Sequence, residues 1–485
     1  MLSAKAAITA GAASCWKNPN LIEKLGSNSR FGKMSSHPMP KWFKKRKDEP
    51  IRKIIRPFQE FIELESSSGI VIIACVAIAL LWINSPFQDS YLDLWKTKIT
   101  LEIGTDFRLS KELILWINDL LMAIFFFLVG LEIKREFLIG ELSSYKQAIL
   151  PIMAAIAGMI MPALIYVLFN PPGSEGAKGW AVPMATDIAL ALGVLMLFRH
   201  RIPLSIKVFL TSVAIVDDIG AILVIALFYS SKLYLNYLIL AGGIFLILMG
   251  LNRLGVRHPL IYLLFGFVLW FFIFKSGFHA TIAGILLAMA IPATIKMDYV
   301  EFEKNGRKIM EELSLAAKQG ISDVKVYQSS LQTLEVMCQD VEPPLQRMEH
   351  FLAPYVIFLI MPFFALGNAG VEFEGDFFQV LTDPITLGIF FGLVVGKPLG
   401  VGLAVLLGAK LGLAQIPDDV DWWHILGAGS LAGIGFTMST FISGLAFTTG
   451  SILDVAKIGI LLASFCSAVI GIFLLTRCGQ EGCDY

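Results

Sequence analysis

The feature that most constrains this chain is the run from Ile206 to Tyr229, IKVFLTSVAIVDDIGAILVIALFY, an apolar stretch with two adjacent carboxylates, Asp217 and Asp218, at its middle. As a helix with about 1.5 Å rise per residue it covers roughly 36 Å, enough to cross a hydrocarbon core of about 30 Å with some tilt. Both aspartates then fall near the bilayer midplane, where each costs on the order of 2.5–3.5 kcal/mol on insertion scales. Something in the fold must compensate them. Successive helix residues point about 100° apart, so the two acids cannot both face one partner; one can line a cavity while the other pairs across a helix interface.

The rest of the composition agrees with a membrane setting. Hydrophobic residues make up 56% of the 485 and charged residues 16%, against about 25% charged in ordinary soluble domains. The expected fold is an all-α polytopic membrane protein. Net charge is zero, which leaves no footprint for nucleic acid. The six cysteines are scattered without a CxxC pair, and the six histidines never stand at ligand spacing. We therefore expect no disulfide framework, no structural metal and no cofactor.

Residues 1–57 read as a disordered tail with a basic end. The cluster Lys41, Lys44, Lys45, Arg46, Lys47, Arg52, Lys53 and Arg56 precedes the first apolar run and holds the N-terminus on the cytoplasmic side. Apolar runs follow at about 69–85, 113–131, 147–169, 178–198, 204–229, 233–251, 259–274 and 279–294, then at 351–371, 385–408, 424–447 and 452–476. Twelve crossings return the C-terminal tail, 477–485, to the side of the N-terminus. Segments one to eight thus occupy 58–294 and segments nine to twelve 351–476. Loops assigned inside carry Lys134, Arg135, Lys146, Arg199, Arg201, Arg253 and Arg257, as the positive-inside rule asks, whereas Lys96, Lys98, Arg108 and Lys111 in the first outside loop run against it. The polar insertion 295–350 shows apolar residues at helical spacing, which predicts one or two short amphipathic helices stopped by Pro343 and Pro344. A solvated spacer and a regulatory domain both fit it.

Ionisable groups inside the apolar runs are functional candidates by default. Segment two holds Asp119 and ends in Glu132, Arg135 and Glu136. Glu132 and Glu136, four apart, share a helix face; a functional pair and a snorkelling helix end fit that spacing equally. Segment four carries Pro183 and then Thr186 and Asp187. Proline removes a helical hydrogen bond, and its pairing with an aspartate predicts an unwound crossing whose freed amide end Asp187 neutralises. Segment eleven has Gly427, Gly429, Gly433 and Gly435 and can break too. Lys397, at the centre of segment ten, needs an anion, and Asp187, Asp217 and Asp218 are the buried anions on offer. Interrupted segments at four and eleven suggest that segments three to five and ten to twelve are repeats of opposite topology, with a binding site where the breaks meet.

Six blocks in one order carry a resemblance: WINDLLMAIFFFLVGLEIKRE (Trp116 to Glu136), ATDIALALG (Ala185 to Gly193), AIVDDIGAI (Ala214 to Ile222), KSGFHATIAG (Lys275 to Gly284), GKPLG (Gly396 to Gly400) and GIGFTMS (Gly433 to Ser439). Over about residues 58 to 476 the chain resembles the NhaA-type sodium/proton antiporters, a family that general accounts of inverted-repeat transporters cite as an example. The resemblance implies that Asp217 and Asp218 carry the ion and the protons, with Asp218 the more direct cation ligand, that Lys397 pairs with Asp217, and that Thr186 and Asp187 sit at the crossing of the unwound segments. It matches Glu132, Arg135, Glu136, Glu349 and His350 to a cytoplasmic pH-response cluster and His279 to a histidine on the other side that influences it. The chain departs from the best-known bacterial pattern at Gln346 and Ala353, where a Lys and a second His stand.

By this resemblance the chain is expected to be a secondary antiporter, not an enzyme, that exchanges Na+ or Li+ for protons in the bacterial inner membrane. Activity at alkaline pH and electrogenic exchange are expected with it, and a homodimer is implied by the family alone. Paired aspartates also serve intramembrane proteases, but there on separate helices in YD and GxGD contexts that this chain lacks. Magnesium-dependent prenyl transfer uses DDxxD clusters, whereas Ile-Gly-Ala follows Asp218. A channel lines its pore with repeated polar residues and needs no buried lysine partner. The closest alternative is a transporter of the same fold with another solute.

Overall fold

The structure, a computed structural model, describes residues 67–103, 107–198, 202–230, 233–318, 324–372, 377–413, 419–447 and 450–477. The basic N-terminal tail, Arg199, Arg201 and the tail beyond 477 lie outside the described residues. The chain forms two compact units, one built on Pro292–Arg347 and the other on Ile62–Ile291 with Met348–Tyr485.

The larger unit is a helical bundle of membrane-spanning dimensions. In order come α1 (Ser67–Ile83), α2 (Gln88–Lys96), a hairpin of β1 (Lys98–Ile103) and β2 (Phe107–Glu112), α3 (Leu113–Ile139) and α4 (Tyr145–Phe169). A 3-10 helix, Glu175–Met184, leads to α5 (Ile188–Leu197), followed by α6 (Leu204–Phe228), α7 (Leu235–Arg253), α8 (Pro259–Ser276) and the ten-residue α9 (Thr281–Ala290). In the smaller unit are α10 (Tyr299–Lys318) and α11 (Val324–Val341); then come α12 (Pro344–Asn368), α13 (Pro384–Lys410), α14 (Trp422–Ala432), α15 (Phe436–Ala446) and α16 (Gly450–Arg477). Among the described residues, eight helices are long and apolar enough to cross a bilayer, or up to eleven if each of three bent pairs is one span. The chain is a polytopic integral membrane protein.

The described residues are helical, as the sequence leads one to expect, apart from one antiparallel hairpin in the first loop, with Lys98 opposite Glu112 and Thr100 opposite Ser110. This pairing puts Lys98, Arg108 and Lys111 of the first loop on a hairpin instead of a free loop, while Lys96 ends α2. The insertion folds into helices of 20 and 18 residues, longer than the short ones its pattern suggests. The second of these helices ends at Val341, just before Pro343 and Pro344 as their stop signal predicts, and Pro344 then opens α12, because proline at a first helical turn lacks only an N–H that would go unbonded anyway. Glu349 and His350 consequently lie on α12, continuous with segment nine. Within the smaller unit, Lys296 pairs with Asp340 at 3.0 Å.

Among the described residues, three π-turns interrupt long helices: Ile117–Leu121 in α3, Val356–Ile360 in α12 and Gly392–Gly396 in α13. The last two stand directly before Pro362 and Pro398, whose rings clash with the carbonyl four residues back, and a widened turn relieves that clash. The first has no proline and surrounds Asp119. Close approach between α4 and α13 depends on small residues: a Cβ on Gly396 would lie 2.9 Å from Cα of Pro162. That contact brings the middle of α13 against the bundle.

The two breaks predicted from sequence are present. The 3-10 helix and α5 bend by 45° across Ala185–Asp187, and α14 and α15 bend by 43° across Gly433–Gly435. Backbone joins them, since Asp187 N donates to Ile434 O at 2.6 Å.

Candidate functional site

Asp217 and Asp218 sit inside α6, which runs unbroken, and both are buried at 1% exposure. Lys397 begins the part of α13 that follows the π-turn and is equally buried. Its ammonium donates to Asp217 Oδ2 at 2.5 Å and to Thr186 Oγ1 at 3.0 Å. The Thr186 hydroxyl donates in turn to Ala432 O at 2.8 Å, the last residue of α14. One side chain thereby links α6, α13 and both broken segments.

Asp187 makes the second side-chain link between the two broken segments. As N-cap of α5 its Oδ1 accepts from Leu190 N at 3.0 Å, and its Oδ2 accepts from Thr437 N at 3.0 Å and from the Thr437 hydroxyl at 2.6 Å. The carboxylate therefore caps the N-termini of α5 and α15 at once. Each helix start carries about half a positive charge, so two of them offset the one negative charge of Asp187. The sequence points to the cap on α5 but not to the one on α15, since segment eleven reads as having no acid or base of its own. The Gly433–Gly435 break signals freed amides in need of an acceptor, but not that Asp187 of segment four supplies it.

With Asp187 neutralised, the remaining balance is uneven. Lys397 can offset only one of Asp217 and Asp218. Oδ1 of Asp217 and both carboxylate oxygens of Asp218 are buried and have no hydrogen-bond partner among the described residues. Unpaired buried polar atoms are rare because each forfeits its hydration. Three of them on adjacent acids mark a place where one more positive charge belongs, whether a proton or a monovalent cation bound by hard oxygen ligands. Among the described residues no three His, Cys, Asp or Glu side chains form a group able to hold a metal ion.

The other sequence candidates form two further groups. On α3 and α12, Arg135 bridges Glu136 at 3.0 Å and Glu349 at 3.5 Å, and Glu136 Oε2 accepts from Glu141 N at 3.2 Å. Glu349 is buried with Oε2 unpaired, while His350 beside it is exposed. Glu132 lies within electrostatic reach of Glu349 and of Asp218. His279 is apart from it: Nδ1 is 2.9 Å from Thr281 Oγ1, and Nε2 is 3.9 Å from Asp119 Oδ1.

The profile of the family described as Na+/H+ antiporter 1 matches residues 59–475. An Na(+)/H(+) antiporter NhaA of Oleidesulfovibrio alaskensis is 51% identical, covering 88% of this chain and 95% of that protein. One from Koribacter versatilis is 47% identical over 88% of this chain and 93% of its own length, and one from Helicobacter pylori 46% over 86% and 94%. The chain belongs to the Na+/H+ antiporter 1 family.

Proposed function

We propose that this protein exchanges Na+, or Li+, for protons across the bacterial inner membrane, and so serves sodium and pH homeostasis. The observation that carries the reading is the set of three unpartnered carboxylate oxygens on Asp217 and Asp218 beside the Lys397–Asp217 pair. A proton and a sodium ion compete for the same oxygens. The site is occupied by one or the other, and the protein reorients in either state, because carrying bare charges through the barrier costs most. When sodium binds Asp218 and Asp217, with the Thr186 hydroxyl and broken-helix carbonyls as neutral oxygen ligands, Asp218 releases a proton, and Asp217 or Lys397 releases a second. Asp187 holds the crossing in shape and stays out of the exchange.

In this reading the apolar segments make twelve crossings, with inverted repeats in segments three to five and ten to twelve, both termini cytoplasmic and two copies in a homodimer. The group of Glu132, Arg135, Glu136, Glu349 and His350 lies at the cytoplasmic end and tunes the response to pH, and His279 contributes from the other end. The alternative is a proton-coupled antiporter of the same fold with a different solute.

Proteoliposomes separate the readings. Protons should be released on addition of sodium or lithium and not of potassium or calcium, with the rate rising with pH as protons cease to win the carboxylates. Asp218→Asn should abolish the release while the protein remains folded in detergent. Retained sodium-driven release in that variant would refute the assignment, and release driven by another solute alone would favour the alternative.

A further inference from the structure

Asp119 stands inside the apolar run of α3 and has no role in the exchange proposed for Asp217 and Asp218. The backbone widens into a π-turn around it, Ile117–Leu121, without a proline to require one; such turns recur at functional positions. Its Oδ2 accepts from Lys111 Nζ at 2.5 Å, and Lys111 comes from β2 of the hairpin. The same ammonium lies 3.9 Å from the centre of the Phe274 ring on α8, a cation–π contact that fixes it from the other side. Next to the turn, the amides of Asn118 and Asn368 exchange hydrogen bonds of 3.3 and 2.9 Å, tying α3 to the end of α12. These are ion-pair and amide contacts in a region otherwise built of apolar packing.

From Asp119 the contacts lead toward the crossing. Asp119 Oδ1 faces His279 Nε2 at 3.9 Å, and the imidazole is held at its other nitrogen by Thr281 at the start of α9. The His279 ring meets Phe441 edge to face, with centroids 5.1 Å apart. Phe441 is 3% exposed and also packs on Phe126 and Phe364. It lies on α15, four residues beyond Thr437 and so on the same face one turn further, and Thr437 is the residue that α15 presents to Asp187. The half-helix that completes the crossing is thus gripped at its aromatic flank by the Asp119 group.

We propose that Lys111 and Asp119 form a latch that, acting through His279 and Phe441, holds α15 in the position that closes the outer side of the ion site, and that this pair must part before the site opens outward. The proposal rests on the antiport reading, whose topology puts this end of the bundle outside. Lys111 and Asp119 are positioning residues here; neither touches the transported ion. Physically, an ion pair made in one state and broken in the other biases the equilibrium between them, and a ligand's apparent affinity on each side scales with the population of the state open to that side.

The experiment measures apparent KM for sodium separately at the outer and inner faces, in vesicles of defined orientation, for wild type, Lys111→Met, Asp119→Asn and the double variant. Methionine keeps the apolar contact with Phe274 while removing the charge. Each single variant should lower the outer-face KM and raise the inner-face KM, by roughly threefold to tenfold. The double variant should match the singles instead of adding to them, as for two partners in one interaction. Lys111→Arg and Asp119→Glu, which keep the charges, should restore wild-type values. Equal shifts at both faces, no shift, or additive effects would overturn the latch. Lys111 sits on the hairpin, outside the helices, so Lys111→Met alone carries the test if Asp119→Asn does not accumulate. Absence of sodium-driven exchange in the wild type would instead sink the antiport reading itself, which separates the two failures.

Discussion

At the scale of single residues, the site turns on one ammonium serving two partners. Lys397 neutralises Asp217 and donates to Thr186, both out of reach of water. A buried ion pair is a poor source of net stability, because desolvation of both ions consumes most of the attraction, but cutting it from one side typically costs about 3–5 kcal/mol by stranding the other charge. Lys397→Met should therefore lower the thermal midpoint in detergent, and Lys397→Met combined with Asp217→Asn should recover much of the loss, since no charge is then stranded. Heat-denaturation curves for the two variants decide the matter; a double variant less stable than the single would mean that the pair is not what stabilises this part of the bundle. The lysine's need for an anion was legible from its place in an apolar run. Which of three aspartates it takes was not, because sequence spacing gives the angle between neighbours on one helix and nothing about which face of α6 meets α13.

At the scale of elements, the crossing of two broken segments is held by Asp187, the backbone bond from Asp187 N to Ile434 O, and the small residues at each break. A Cβ on Gly435 would come within 2.8 Å of Ala185 O, so the two chains could not approach as they do with any other residue there. Removing Asp187 leaves two helix starts uncapped in an apolar interior, where a single N-cap is already worth about 1 kcal/mol. In Asp187→Ala, amide hydrogen exchange at the first turns of α5 and α15 should accelerate together, while α16 keeps its protection; acceleration at α5 alone would show that the second cap does not hold α15. Both breaks were legible in Pro183 and in the glycines of segment eleven. The partner of Asp187 was not, since Thr437 and Asp187 are brought together only by the packing of segments far apart in sequence. The same limit explains the hairpin: Lys98 to Glu112 reads as a charged loop, and only the pairing of its two halves makes it strands. The π-turn around Asp119 left no sequence signal at all, while those before Pro362 and Pro398 had one in the prolines.

At the scale of the whole molecule, the charge balance in the bundle decides how exchange responds to voltage. Asp187 is offset by two helix starts, Lys397 by Asp217, and Asp218 by whatever enters. If only Asp218 changed state, each cycle would swap one proton for one sodium ion and move no net charge. If sodium also draws the Lys397–Asp217 pair into the exchange, two protons travel one way for one sodium the other, and one net charge crosses per cycle. A net charge crossing the membrane couples to the potential by about 2.3 kcal/mol per 100 mV, enough to change turnover severalfold when the charge-moving step limits the rate. The proposed scheme takes the second course, because Lys397 and Asp217 share one hydrogen bond and a cation at Asp217 Oδ1 competes with the ammonium for that carboxylate. Turnover in proteoliposomes held at a series of fixed potentials should accordingly rise as the side receiving the two protons is made negative; in Lys397→Met the slope should fall away if the ammonium supplies the second proton and persist if Asp217, left without its partner, supplies it. Turnover that does not change with potential would assign the exchange to Asp218 alone and leave Lys397 as a structural partner.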